Sequence, residues 1–237
     1  MRWSPWRGCH KISEGCRFCY IHKGDSKRGV QTNHIVKTSE FYKPIEKDKN
    51  GQYKIKSDTV IYVCFNSDFL IEEADQWRLE CYQMMKERAD LHFVFLTKRI
   101  DRFSNILPQD WNDGYENITV GVSIENQKNA DKRLIILSKL PIRHKNIICQ
   151  PLIEKINIEP YLEGIELVVV GGESDKNARP LDYKWVLYLR EQCQKHQTNF
   201  YFRQCGTHFI KDDTYYTIPT KLLTSQARKA NINLKYE

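Results

Sequence analysis

The chain has 237 residues, 41% of them apolar and 28% charged, with 37 Lys+Arg against 30 Asp+Glu for a formal charge of +7. That balance excludes a disordered or fibrous chain. The longest apolar runs, 60–65 and 167–170, fall far short of the ~20 residues a membrane-spanning helix needs, and the first eleven residues lack the apolar stretch of a signal peptide. The expectation is a cytoplasmic protein that does not engage membranes.

In chain order, a short strand near residues 2–6 comes first, and then the most informative segment. Cys9, Cys16 and Cys19 are spaced C-x6-C-x2-C, whereas Cys64, Cys81, Cys149, Cys193 and Cys205 are scattered. Eight cysteines are too dilute for a disulfide scaffold, and in a reducing compartment a tight trio points to a metal. Three thiolates do not close a tetrahedral zinc site, so zinc would need His22 or His10 as a fourth ligand. They also leave one iron of a 4Fe–4S cube open to an exogenous ligand. Both readings stand on spacing alone.

The charge is concentrated in the same region. Residues 1–60 hold 13 Lys+Arg and 6 Asp+Glu, and the remainder holds 24 of each sign. Such a surplus steers anionic ligands or acidic proteins. Residues 23–58, punctuated by Gly and Pro, read as a helix followed by a basic hairpin insertion.

From residue 59 a strand–helix rhythm sets in. Strands are expected at 59–65, 92–97, 118–123, 146–151, 166–171 and 199–203, with helical stretches at 72–89, 99–107, 126–140 and 182–196 between them. Continuous apolar strands suit a parallel sheet buried on both faces, and the alternation argues for βαβ units. The expected fold class is α/β, a partial or nearly closed parallel (β/α) barrel, with a doubly wound open sheet as the competing topology. The chain reads as one domain: 1–58 carries the cysteine loop and hairpin, 59–206 the repeats, and 207–237 a tail that is irregular until a short helix at 220–230.

In either topology ligands gather at the carboxyl ends of the strands. Polar residues stand there: Asn66, Ser67 and Asp68; Lys98 and Arg99; Ser123 and Glu125; Glu173 after Gly171-Gly172; and Arg203 and Gln204, with Arg179 nearby. Two cations at a strand mouth suit a carboxylate. Paired glycines admit a close backbone approach to a ligand. Asn66-Ser67-Asp68 also suits a helix cap, Glu125 a helix start, and Arg179 and Arg203 structural ion pairs. The other five cysteines read as small buried hydrophobes.

Cys16-Arg17-Phe18-Cys19 resembles the end of the radical S-adenosylmethionine motif, in which an aromatic residue separates the last two cysteines. The first gap departs from that pattern, six residues in place of three. More closely, the chain resembles a phage-associated family of uncharacterised three-cysteine proteins. The matching segments are Trp3-Ser-Pro-Trp-Arg-Gly-Cys9 with Cys16 to Tyr20, Phe65-Asn-Ser-Asp68, Phe95-Leu-Thr-Lys-Arg99, Gly121-Val-Ser-Ile-Glu125, Gly171-Gly-Glu-Ser174 and Phe202-Arg-Gln-Cys-Gly206. The resemblance implies a partial barrel with the cluster loop after its first strand. It implies a 4Fe–4S cluster on Cys9, Cys16 and Cys19, and S-adenosyl-L-methionine on the open iron, cleaved to a 5′-deoxyadenosyl radical. Phe18, Asn66, Ser67, Asp68, Lys98, Ser123 and Glu125 would then contact the cofactor, and Arg99, Glu173, Arg203 and Gln204 the substrate. No catalytic residue is assigned.

The leading expectation is therefore an enzyme of this type acting on an unidentified, anionic or nucleotide-like substrate, reduced by a flavodoxin-like partner. The alternative is a zinc-stabilised nucleic-acid-binding module, with Cys9, Cys16, Cys19 and His22 as a structural site. The weakness of that alternative is that a chain with six strand–helix repeats builds its own core.

Overall fold

A computed structural model describes residues 1–236. Twelve strands and five α-helices are described: β1 (Arg2–Trp3), β2 (Trp6–Arg7), α1 (Tyr20–Lys27), β3 (Val36–Lys37), β4 (Val60–Val63), α2 (Asp75–Glu87), β5 (His92–Thr97), β6 (Ile118–Ser123), α3 (Gln127–Lys139), β7 (His144–Cys149), β8 (Ile165–Gly171), β9 (Leu181–Asp182), α4 (Tyr183–Lys195), β10 (Asn199–Gln204), β11 (His208–Lys211), β12 (Thr214–Thr217) and α5 (Leu223–Lys229). Seven of the strands form a parallel sheet in the order β1-β4-β5-β6-β7-β8-β10. Each new strand joins beside the one before it, and the order never reverses. A doubly wound sheet reverses at a switch point, so this order excludes it and fits a partial parallel barrel.

The chain groups into two compact units. One comprises Met1–Lys11, Ile21–Gly121 and Leu140–His144; the other comprises Ile12–Tyr20, Val122–Lys139 and Lys145–Glu237. The first unit has an aromatic core. Trp3, Trp6, Phe69, Tyr82, Phe93, Phe95 and Phe103 are all fully buried. Phe69 stacks on Trp6 at 5.4 Å and packs against Phe95 at 4.4 Å. Truncating so central a ring to alanine costs about 3–5 kcal/mol. α2 turns Cys81, Tyr82, Met84 and Met85 inward, the three- and four-residue spacing of an amphipathic helix.

In the second unit β8 buries Val168 and Val170, and β10 buries Phe200 and Phe202. α4 begins at Asp182, whose side chain accepts from the Lys184 N–H at 2.8 Å, and buries Val186, Leu189 and Cys193. Every residue of β6 is buried, as a continuous apolar run in a parallel sheet requires.

Three expectations change. The helical stretch at 99–107 is a 3-10 segment, Ile100–Asn105. The strand near residues 2–6 is two short strands: β1 pairs with β4, and β2 pairs antiparallel with β3. The tail is not irregular before residue 220. β11 and β12 form a hairpin in which Lys211 faces Thr214, closed by Asp212 and Asp213, both at positive φ. That is the two-residue turn with left-handed backbone at both positions that matches strand twist. β9 joins it to make a three-stranded sheet.

Candidate metal centre

In the first unit the stretch around Cys9 is pinned by the turns that follow β4 and β5. Gly8 adopts φ +96°, and a Cβ there would meet the His34 carbonyl at 2.5 Å, so only glycine fits. The Cys9 N–H then donates to the Thr32 carbonyl at 2.8 Å, and the Ser67 hydroxyl donates to the Gly8 carbonyl. Arg99, only 8% exposed, is the centre of this arrangement. Its guanidinium donates to Asp68 Oδ2 at 2.9 Å and to the His10 carbonyl at 2.9 Å. Burial works against its charge, but Asp68 and Cys9 outweigh it and raise its pKa.

Asp68 is saturated. Besides Arg99 it accepts from the Leu70 N–H, the Thr97 hydroxyl and the Lys98 N–H, at 3.0, 2.7 and 3.0 Å. It therefore holds the β5 turn and the cysteine stretch together and presents no open carboxylate. His10 is engaged by Glu73. Burial pushes the Glu73 carboxyl up, and the His10 contact more than reverses this. Asn66 and the Lys98 ammonium, in contrast, have no hydrogen-bond or ionic partner among the described residues.

In the second unit the stretch around Cys16 and Cys19 is pinned by different chemistry. Glu14–Cys16 is one 3-10 turn, and the Cys19 N–H donates to the Cys16 carbonyl at 3.4 Å just before α1. The Gly15 N–H donates to Glu125 Oε1 at 3.4 Å. A Cβ on Gly15 would sit 3.1–3.3 Å from the Glu125 side chain, so the fit is close. Glu125 is fully buried and pairs with Arg133 at 2.8 Å. Arg133 also donates to the Ser123 carbonyl at 2.7 Å. Asn126 caps α3 through the Asn129 N–H at 2.9 Å, and its amide donates to Glu14 Oε2 at 3.1 Å.

Arg179 forks onto Glu173 through Nε at 3.1 Å and through its terminal nitrogen, and donates to the Glu14 carbonyl at 2.9 Å. Glu173 is thus spent on holding the loop. The Arg17 and Arg179 guanidinium carbons lie 5.1 and 5.8 Å from the Phe18 ring centroid, within cation–π range.

The glycine pair has a structural explanation. A Cβ on Gly172 would meet Gly206 Cα at 2.8 Å, so the close approach is to the chain's own backbone rather than to a ligand. Gln204 donates to the Gly172 carbonyl and accepts from the Gly206 N–H at 3.2 Å, which closes the same junction. Arg203 is exposed, and its side chain has no partner among the described residues. Spacing did not single out Arg133 or Asn126. The available signal for Arg133 was an arginine on the buried face of α3, among Ala130, Leu134 and Leu137.

The eight cysteines fall into two kinds, and all are reduced. Burial pushes the thiols of Cys64, Cys81 and Cys149 well up, that of Cys193 to about 12 and that of Cys205 to about 11. Cys9, Cys16 and Cys19 are half-exposed. As a donor set these three fit a thiolate-bound metal: they are accessible and eleven residues span them. Among the described residues no three Cys, His, Asp or Glu side chains are already grouped as a metal requires. His22, the fourth ligand of the zinc reading, is half-buried, its pKa lowered by burial and then by Lys11.

A protein family described as "Protein of unknown function (DUF5131)" matches residues 1–233. The chain belongs to that family. The DUF5131 match corrects the superfamily expectation: no radical S-adenosylmethionine family matches this chain. No curated protein and no solved structure matches this DUF5131 chain. Among its described residues no helix is long and apolar enough to cross a membrane.

Proposed function

We propose that the chain is a metalloenzyme that carries one 4Fe–4S cluster on Cys9, Cys16 and Cys19, and that the iron lacking a thiolate takes S-adenosyl-L-methionine. One observation carries the reading. In each unit the cysteine-bearing stretch is anchored by polar residues that follow strands of the parallel sheet: Ser67, Asp68 and Arg99 in one, Glu125 and Arg179 in the other. That is the end of a parallel sheet where ligands gather. Such a cluster, when bound, supplies one-electron reduction to what occupies its open iron.

The chain's own residues divide the remaining work. Arg99, Asp68, Glu125 and Arg179 hold the loop. Lys98 and Asn66 in the first unit and Arg203 in the second keep polar groups available for a carboxylate, an amide or a phosphate. The +7 surplus of residues 1–60 suits an anionic or nucleotide-like substrate and an acidic, flavodoxin-like donor.

The test is anaerobic reconstitution with iron and sulfide, followed by titration with S-adenosyl-L-methionine. The expected result is brown protein with about four irons per chain, whose spectrum changes on adding the cofactor and which forms deoxyadenosine on reduction. Colourless protein with about one zinc overturns the reading in favour of a structural site. Iron without any response to the cofactor removes S-adenosyl-L-methionine from it.

A further inference from the structure

A cavity of about 250 Å³ lies within the first unit, walled by residues between positions 7 and 36. Trp6 is fully buried, so the alternation of β2 turns Arg7 to the opposite, exposed side. Arg7 stands across from Val36 in the β2–β3 ladder and lines the cavity. Its guanidinium has no hydrogen-bond or ionic partner among the described residues. On another wall is Asp25, only 8% exposed. Asp25 sits in the last turn of α1, where the helix dipole disfavours a negative charge. Among the described residues its side chain pairs only with Arg28, through a single nitrogen, and the Arg28 side chain is 67% exposed. An ion pair with so exposed a member contributes little, and a buried carboxylate so weakly compensated is costly.

An unneutralised guanidinium and a weakly neutralised carboxylate thus line one cavity without pairing with each other. A simple anion or cation would satisfy one of them and oppose the other, whereas a molecule carrying both charges satisfies both. We propose that this cavity binds a free α-amino acid with a small apolar side chain. Its carboxylate meets Arg7, its ammonium group meets Asp25, and its side chain packs on the half-buried Val30 and Val36. Gln31 and His34, also in the wall, supply further hydrogen-bonding groups. The volume falls below the roughly 300–1,000 Å³ of pockets that enclose drug-sized ligands, which sets the occupant at the scale of a single amino acid. The assignment is independent of the cluster reading above, since no cysteine lines the cavity.

The experiment is calorimetric titration of the full chain, without added iron, with L-valine, isovalerate and isobutylamine. The last two are L-valine without its ammonium group and without its carboxylate. L-valine should bind about ten- to a hundred-fold more tightly than either, the range set by one charge-assisted hydrogen bond. Arg7→Gln should weaken L-valine by the same factor and leave isobutylamine unchanged. Asp25→Asn should weaken L-valine and leave isovalerate unchanged. Lys54→Gln, which removes an exposed cation paired with Glu46 at 3.2 Å, serves as the control and leaves all three in place. Isovalerate binding as tightly as L-valine overturns the proposal in favour of a simple anion site. No L-valine binding at millimolar concentration, or equal binding by the unaltered chain and Arg7→Gln, also overturns it. Where Asp25→Asn fails to fold, Arg7→Gln decides, because Arg7 is exposed and holds no other residue in place.

Discussion

The two stretches of the cysteine segment are held in opposite ways. The stretch around Cys9 is gripped by a cation: Arg99 reaches the His10 carbonyl, and Asp68 fixes Arg99 from behind. The stretch around Cys16 and Cys19 is gripped by a carboxylate, because Glu125 accepts the Gly15 N–H and is itself neutralised by Arg133. Each grip is a buried ion pair with one member turned to the loop. Such pairs are costly to break and add little net stability, so their use here is to specify where the loop sits. They also account for most of the strand-end polar residues: what resembles a ligand shell in sequence is largely loop anchorage in the fold.

The largest expected effect separates the three loop thiols from the other five. Cys9→Ala, Cys16→Ala or Cys19→Ala should each abolish iron loading, since losing one thiolate leaves a second iron without a protein ligand. Cys64→Ala, Cys81→Ala, Cys149→Ala, Cys193→Ala and Cys205→Ala should retain it. Iron and sulfide analysis after anaerobic reconstitution decides, and full iron in Cys9→Ala would sink the six-residue gap as part of the site. His22→Ala should leave iron unchanged, and loss of metal there would return the argument to zinc.

The same division predicts thiol reactivity in metal-free protein. A raised thiol pKa means less thiolate at a given pH, and thiolate is the reactive form. At pH 8 a thiol near 11, such as Cys205, is roughly one-thousandth ionised, while an ordinary thiol near 8.5 is ionised to roughly a quarter. Alkylation followed by peptide mapping should label Cys9, Cys16 and Cys19 at least a hundred-fold faster than the buried five. Equal labelling of all eight would show that burial does not protect the core thiols.

The buried pairs come next. Glu125→Ala leaves Arg133 unpaired and Asp68→Ala leaves Arg99 unpaired, and each should cost about 3–5 kcal/mol in urea unfolding. The comparison sharpens in the conservative variants. Glu125→Gln keeps an acceptor for Gly15, and Asp68→Asn keeps one for Arg99, so both should recover part of the loss. If both alanine variants unfold like the unaltered chain, the anchors are not where the loop is held.

Much of this was legible in the sequence, for local reasons. β5 and β6 fall at the expected residues because their apolar runs are long and bounded by turns. β7 begins two residues earlier than its apolar core suggests, since His144 and Lys145 are half-exposed and carry no hydrophobic signal. The β11–β12 hairpin was not legible: β12 is exposed along its whole length and has no inward face, and its turn is Asp-Asp in place of the usual glycine-containing pair. The strand-end residues were found, but not what they touch. Asp68 meets Arg99 across 31 positions and Glu14 meets Asn126 across 112, and no spacing rule reports such contacts. Legibility ended where long-range pairing began.

The smallest effect tests the weaker contact of the second stretch. Asn126 has two jobs: its carbonyl oxygen caps α3 and its amide donates to Glu14. Asn126→Ala loses both, and the cap alone contributes about 1 kcal/mol. Asn126→Asp keeps the cap, because a carboxylate accepts the Asn129 N–H equally well and favours the helix N-terminus. It also sets a second negative charge beside Glu14 Oε2, where the amide had donated. Asn126→Asp should therefore fold about as stably as the unaltered chain at high salt and slightly less so at low salt, because screening shortens from about 10 Å at 0.1 M to about 3 Å at 1 M. Its iron uptake should slow at low salt relative to the unaltered chain and recover as salt rises, since Glu14 opens the 3-10 turn that carries Cys16. Arg99→Lys, acting on the other stretch, should show no such salt dependence, because its partners are buried. If Asn126→Asp loads iron at the same rate at every salt concentration, the Glu14 contact does not restrain the turn, and the second stretch is held by Glu125 and Arg179 alone.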